Sequence, residues 1–178
     1  MDPLVAVRRL PVLAERAMRA SILAAIDRGR VTPRTLINDA LMRFERAVQA
    51  EACNGIRPAL LFNERDRIVR EVRGFIDGRI AARLAALPRR DLIALGRDAA
   101  PFDAIVRNRH GRAYGVVLRR LPSDGARLDI LQRVREAARR TTRTPLAGVL
   151  VYDFSSGVVR LVLDDAGAQR VNRHLRAS

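Results

Sequence analysis

PFDAIVRNRHGRAYGVVLRR, residues 101 to 120, is the clearest two-strand unit in the chain. Phe102, Ala104 and Val106 alternate with Asp103, Ile105 and Arg107, the period of two that a pleated strand imposes on its side chains. Arg109-His110-Gly111-Arg112 reads as a turn, and Ala113 to Leu118 is then a nearly continuous apolar run. A run of that kind suits a strand covered on both faces, so the segment predicts a hairpin whose second strand lies inside a sheet. Asp103 stands apart as an acid early in the first strand, at a position where folding does not call for one.

Downstream, Pro122-Ser123-Asp124-Gly125 reads as a turn and residues 126–142 as a helix with Leu128, Leu131, Val134 and Ala138 inward. Thr144-Pro145 breaks it. Leu146 to Phe154 (LAGVLVYDF) is a second buried-type strand, Ser155-Ser156-Gly157 a turn, Val158 to Leu163 (VVRLVL) a partner strand, and Asp164 or Asp165 the cap of a short terminal helix. A crossover helix between the second and third strands implies that those two run parallel in one sheet.

Upstream the period changes to that of helices. Residues 3–28 give one helix, with Val5, Leu10 or Val12, Leu13, Ala17, Ile22 and Ile26 inward, Pro11 as a kink or start, and Gly29 as the stop. Thr32 before Pro33 is a start signal, and the second helix runs to about Ala52 on Leu36, Ala40, Leu41, Phe44 and Val48. A third is expected from Asn63, capped reciprocally by Asp66, to about Leu87, with Ile68, Val69, Val72, Phe75, Ile76, Ile80 and Leu84 inward. Gly74 and Gly78 suggest close packing against a neighbour, and Arg89 to Arg97 reads as a helical or irregular connector. The expected fold class is therefore α/β in the α+β sense. A helical N-terminal segment, residues 1–62, suits assembly or dimerisation, and residues 63–178 form a core with a small four-stranded mixed sheet and a crossover helix.

Composition narrows the partner. The 178 residues hold 34 basic side chains, all arginine, against 19 acids, a formal charge of +15. Such an excess repels itself unless it is spread over a surface or met by a polyanion, of which nucleic acid is the first choice. Aromatic residues are 4% of the chain with no Trp, which argues against a single-strand binder built on stacking platforms. Cys53 is alone, so neither an internal disulfide nor a cysteine zinc site is expected. Arg8, Arg9, Glu15, Arg16 and Arg19 interrupt the N-terminal region, and no apolar stretch reaches 18 residues; a cytoplasmic protein without membrane contact is expected.

A helix, a hairpin with an acid early in its first strand and a basic residue ending its second, then a crossover helix: this order over residues 63–163 resembles the restriction-endonuclease-like, PD-(D/E)XK nuclease fold. The resemblance implies a first-strand Asp and a second-strand acid holding a divalent metal, with a Lys two residues further on orienting water. The matching positions here are Phe102-Asp103, Val117 for the acid and Arg119 for the Lys. Val117 cannot ligate a metal, and Arg119, charged at any physiological pH, activates water poorly. Asp103 and Arg119 are thus the candidate catalytic pair of a degenerate site, with no metal or other cofactor expected; Mg²⁺ would be needed only for a nuclease in which Asp129, Glu136, Glu64 or Glu71 replaces the missing acid.

The remaining motifs carry little chemistry. His110 and His174 have no ligand spacing between them, Ser155-Ser156-Gly157 lacks the strand-turn-helix context of a nucleophile elbow, and Gly111 to Gly115 lacks a P-loop ending. The arginines carry more. Arg135, Arg139 and Arg143 recur every four residues along one helix face beside Arg133 and Arg140, while Arg107, Arg109, Arg112, Arg119 and Arg120 crowd the hairpin. These ten are the candidate nucleic-acid contacts, touching phosphates rather than bases. The expected function is a non-catalytic nucleic-acid-binding protein, a duplex-DNA-binding subunit of the defence, repair or recombination complexes that the resemblance implies. A structural adaptor gripping an acidic protein and a metal-dependent nuclease with a rearranged site are the alternatives. A protein partner or a second copy would dock on the N-terminal helices.

Overall fold

In a computed structural model, residues 3–29, 32–51, 56–77, 92–100, 102–107, 110–121 and 146–162 are described. The chain divides into two compact units, Met1–Ala86 and Leu87–Ser178.

The first unit holds three helices, α1 (Pro3–Arg28), α2 (Pro33–Ala50) and α3 (Pro58–Asp77), each packed against the other two. Gly29 ends α1 at φ +66°, a conformation cheap only for glycine. Thr32 caps α2 by accepting from the Thr35 N–H, and Pro33 takes the first helical position, as the sequence predicts. Leu10, Leu13, Ala17, Met18, Ile22, Leu36, Ala40, Phe44, Ile68, Val72 and Phe75 are buried and form the apolar interior. Val12 faces outward, which settles the choice between it and Leu10.

Three expectations for this unit need correction. The third helix starts at Pro58, not Asn63; Leu60 N–H already bonds back to Arg57 O, and Asp66 pairs with Arg70 one turn on instead of capping. Pro at a first helical position is the same signal as at Pro33. Gly74 does not serve close packing, since a Cβ there would meet nothing within 4 Å. Gly78 lies outside the described residues. Finally, α3 packs on α1 and α2, so the compact units part at 86/87, where the sequence reading divided the chain at 62/63.

The second unit is built on one mixed sheet in chain order β1-β2-β3-β4-β5. The strands are β1 (Leu92–Leu95), β2 (Ala104–Arg107), β3 (Ala113–Arg119), β4 (Leu146–Asp153) and β5 (Val158–Val162). The α+β class, helices first and a mixed sheet after, is as expected. So is the parallel pairing of β3 with β4, in which Val117 lies beside Val151 and Arg119 beside Asp153; the other neighbours are antiparallel. The expected crossover helix and terminal helix lie outside the described residues. The sheet gains a fifth strand over the expected four: Leu92–Leu95, read as connector, pairs with β2 and leads into a 3₁₀ turn, Gly96–Ala99. Four residues are too few to display a period, and pairing with a neighbour decides their state.

Phe102, Ile105, Ala113, Val117, Leu121, Val149 and Val151 form one buried cluster, with Ile93, Ala94 and Leu146 packed against it. Ala104, Val106, Val116, Leu118 and Tyr152, which alternate with these along the strands, are buried too. Both faces of the central strands are thus covered, which is why β3 reads as a continuous apolar run.

Candidate functional site at the Asp103 end of the sheet

The sequence predicts strict alternation from Phe102 onward, and the structure breaks it. Phe102 and Ile105, three residues apart, enter the same cluster, which a regular strand forbids; a bend at Phe102–Asp103 makes the change. The Phe102 ring lies over Gly115, where an added Cβ would come 2.8 Å from the ring, so only glycine lets the ring sit there. With Phe102 turned inward, Asp103 turns to β3. Its Oδ2 accepts the Leu118 N–H at 2.7 Å, its own N–H donates to Val116 O at 2.8 Å, and its carbonyl accepts the Gly96 N–H at 2.8 Å.

Asp103 is 3% exposed and has the Arg119 guanidinium 3.8 Å from Oδ2. The expectation that folding does not need this acid is therefore corrected: it joins the 3₁₀ turn, β2 and β3 at one end of the strands. Arg119 also donates to Leu118 O at 3.1 Å. Val117, which the nuclease resemblance would need as an acid, is an apolar member of the core.

A second buried carboxylate lies at this end of the strands. Asp153, at the end of β4 beside Arg119, is wholly buried. Its Oδ1 accepts the Leu121 N–H at 3.1 Å and the Ser155 N–H at 3.0 Å, and its Oδ2 accepts the Ser156 hydroxyl at 2.7 Å. Phe154 N–H donates to Arg119 O, and Gly157 N–H closes the turn on Asp153 O, each at 2.8 Å. Asp153 thus fastens the exit of β3 to the β4–β5 turn. Sequence reasoning missed it, although an Asp ahead of Ser-Ser-Gly at the end of an apolar strand is a turn-capping signal.

Several donors satisfy these carboxylates, and such groups act as fixed anchors: removing either would strand buried N–H groups. Among the described residues no group of three or more His, Cys, Asp or Glu side chains is placed to hold a metal ion. Glu64 and Glu71 are buried on α3 in the helical unit, Glu71 accepting from Arg67 Nε at 2.9 Å. Asp129 and Glu136 lie outside the described residues.

The candidate arginines separate by position. Arg107 and Arg112 are exposed at the β2–β3 turn beside His110, while Arg119 and Arg120 are half-buried at the other end of β3. Arg109, Arg133, Arg135, Arg139, Arg140 and Arg143 lie outside the described residues. No described helix is long and apolar enough to cross a membrane. Compared with known proteins, the chain matches no family model, no curated protein and no solved structure.

Proposed function

We propose that this is a non-catalytic nucleic-acid-binding protein that holds duplex DNA through phosphate contacts with little dependence on sequence, as a subunit of a defence, repair or recombination assembly. The observation that carries the reading is how the sheet unit divides its charge. Leu87–Ser178 has eighteen arginines against nine acids, and two of those acids, Asp103 and Asp153, are buried on backbone donors. With both acids counted, eighteen less nine leaves the unit a formal excess of nine positive charges, and an excess of this kind favours a polyphosphate. The non-catalytic part is supported by Asp103 bonded to Leu118 N–H, by apolar Val117, and by Arg119 in place of a lysine.

A filter-binding titration on duplex DNA across a salt series tests the reading. The expected result is binding that weakens steeply as salt rises; no binding at low salt would remove it. Incubation of plasmid with the protein and Mg²⁺ or Mn²⁺ tests the second part and is expected to leave the plasmid intact. Cleavage abolished by Asp103→Ala would instead favour the nuclease reading.

A further inference from the structure

We propose that a second copy of this chain docks on the outward face of α3, along the row Phe62, Asp66, Arg70 and Gly74, which meets the same row of the other copy turned end for end. The four residues are spaced by four, so they form one ridge of the helix, about 18 Å long. All four are exposed. Phe62 shows 71% of its surface, and the Asp66 and Arg70 side chains 49% and 68%.

A ring exposed by itself is common on protein surfaces; the order of the row is what calls for a partner. Read from one end it runs large, negative, positive, small, and from the other small, positive, negative, large. Two copies laid antiparallel therefore set each Phe62 ring against the second copy's Gly74, and each Asp66 against the second copy's Arg70. Rows of this spacing pack on each other with the helix axes crossing at about −50°, the commonest helix contact. A patch that meets itself across a two-fold axis must be its own complement, and this one is.

Gly74 supports the same pairing from another side. Glycine weakens a helix, so one in the second half of α3 needs a reason. Packing within the chain does not supply it, since a Cβ built there meets nothing within 4 Å among the described residues. An incoming ring uses that opening, because the absent side chain lets it come close to the backbone. Asp66 and Arg70 already pair along their own helix. Across the two-fold they become four alternating charges, and a network holds better than one exposed pair. A single row a side is well short of the roughly 20 to 30 residues of a standard interface, so the contact is weak and reversible and forms as concentration rises.

The test is sedimentation equilibrium of the full chain, free of nucleic acid, from about 10 μM to about 1 mM. The expected result is a monomer–dimer equilibrium. Phe62→Ala is expected to raise the dissociation constant by about tenfold or more, since it removes both rings from the contact. Gly74→Leu is expected to do the same while raising the melting temperature, because a side chain there has room in the monomer and the helix loses a glycine. D66R sets like charges together and is expected to weaken the dimer several-fold; D66R/R70D exchanges the two signs and is expected to restore it. A chain that stays monomeric to about 1 mM overturns the inference. So does a dimer that F62A and G74L leave at wild-type strength, or one that D66R weakens and D66R/R70D fails to restore.

Discussion

In the helical unit four acids stand beside arginines at or near the surface, Asp39 with Arg43, Glu45 with Arg65, Glu51 with Arg9 and Asp66 with Arg70, while Glu64 and Glu71 are buried on α3. In the sheet unit Asp103 and Asp153 lie inside, bonded to the chain's own N–H groups. The first arrangement is worth little energetically, about 0.3 to 0.5 kcal/mol for an exposed i,i+4 pair, but it lowers the outward charge of the helices. The second is expected to contribute more to stability, because each carboxylate satisfies a buried backbone N–H. One residue type thus does two jobs, and the unit whose buried acids bond distant backbone N–H groups is the one with twice as many arginines as acids.

Substitutions can break or sharpen this contrast. The largest effect is expected from Asp153→Ala, which strands the buried Leu121 N–H and removes the acceptor that holds the exposed Ser155–Ser156 turn onto the end of β4. A loss of about 2 to 3 kcal/mol in denaturant unfolding is predicted. A loss below about 1 kcal/mol would show that water satisfies Leu121 N–H in the variant. Next comes Asp103→Ala, at about 2 kcal/mol for one buried N–H and the contact with Arg119. Asp103→Asn separates the two parts: it keeps an acceptor oxygen for Leu118, so most stability should return. If it is as unstable as Asp103→Ala, the charge toward Arg119 is the larger share.

Gly115→Ala is expected to cost about 1 to 2 kcal/mol by forcing the Phe102 ring off its seat. Thermal melts of G115A against G115A/F102L should show partial recovery, since leucine lacks the ring edge that the new methyl meets. The smallest effect belongs to the helical unit, where Arg70→Gln should change stability by no more than about 0.5 kcal/mol. A larger loss there would erase the distinction between the two units.

The hairpin, the parallel partner and the helical start at Thr32-Pro33 were legible in the sequence because each is written in local chemistry: alternation, an apolar run, a capping hydroxyl before proline. Leu92–Leu95 was not, because four apolar residues acquire a state only from the strand beside them. The roles of Asp103 and Asp153 were hidden for a related reason. Leu118 N–H and Leu121 N–H lie fifteen and thirty-two residues away in sequence and leave no mark in the residue code, whereas Ser155 and Ser156, next to Asp153, are a local signal that the reading passed over. Reading Asp103 as dispensable for folding left its backbone partner Leu118 N–H out of account. Arg119 was legible as a neighbour of Asp103, but the bend that aims the carboxylate at Leu118 depends on the Phe102 ring finding Gly115.

The parallel union of β3 with β4 also sets an order of events during synthesis. Contacts within Met1–Ala86 join helices that follow one another closely, and such local topologies form fast. β3 must wait for Leu146 to leave the ribosome before its far edge is paired. Through that interval Val116, Val117 and Leu118 present an open apolar strand on the nascent chain, the kind of edge to which chaperones attend.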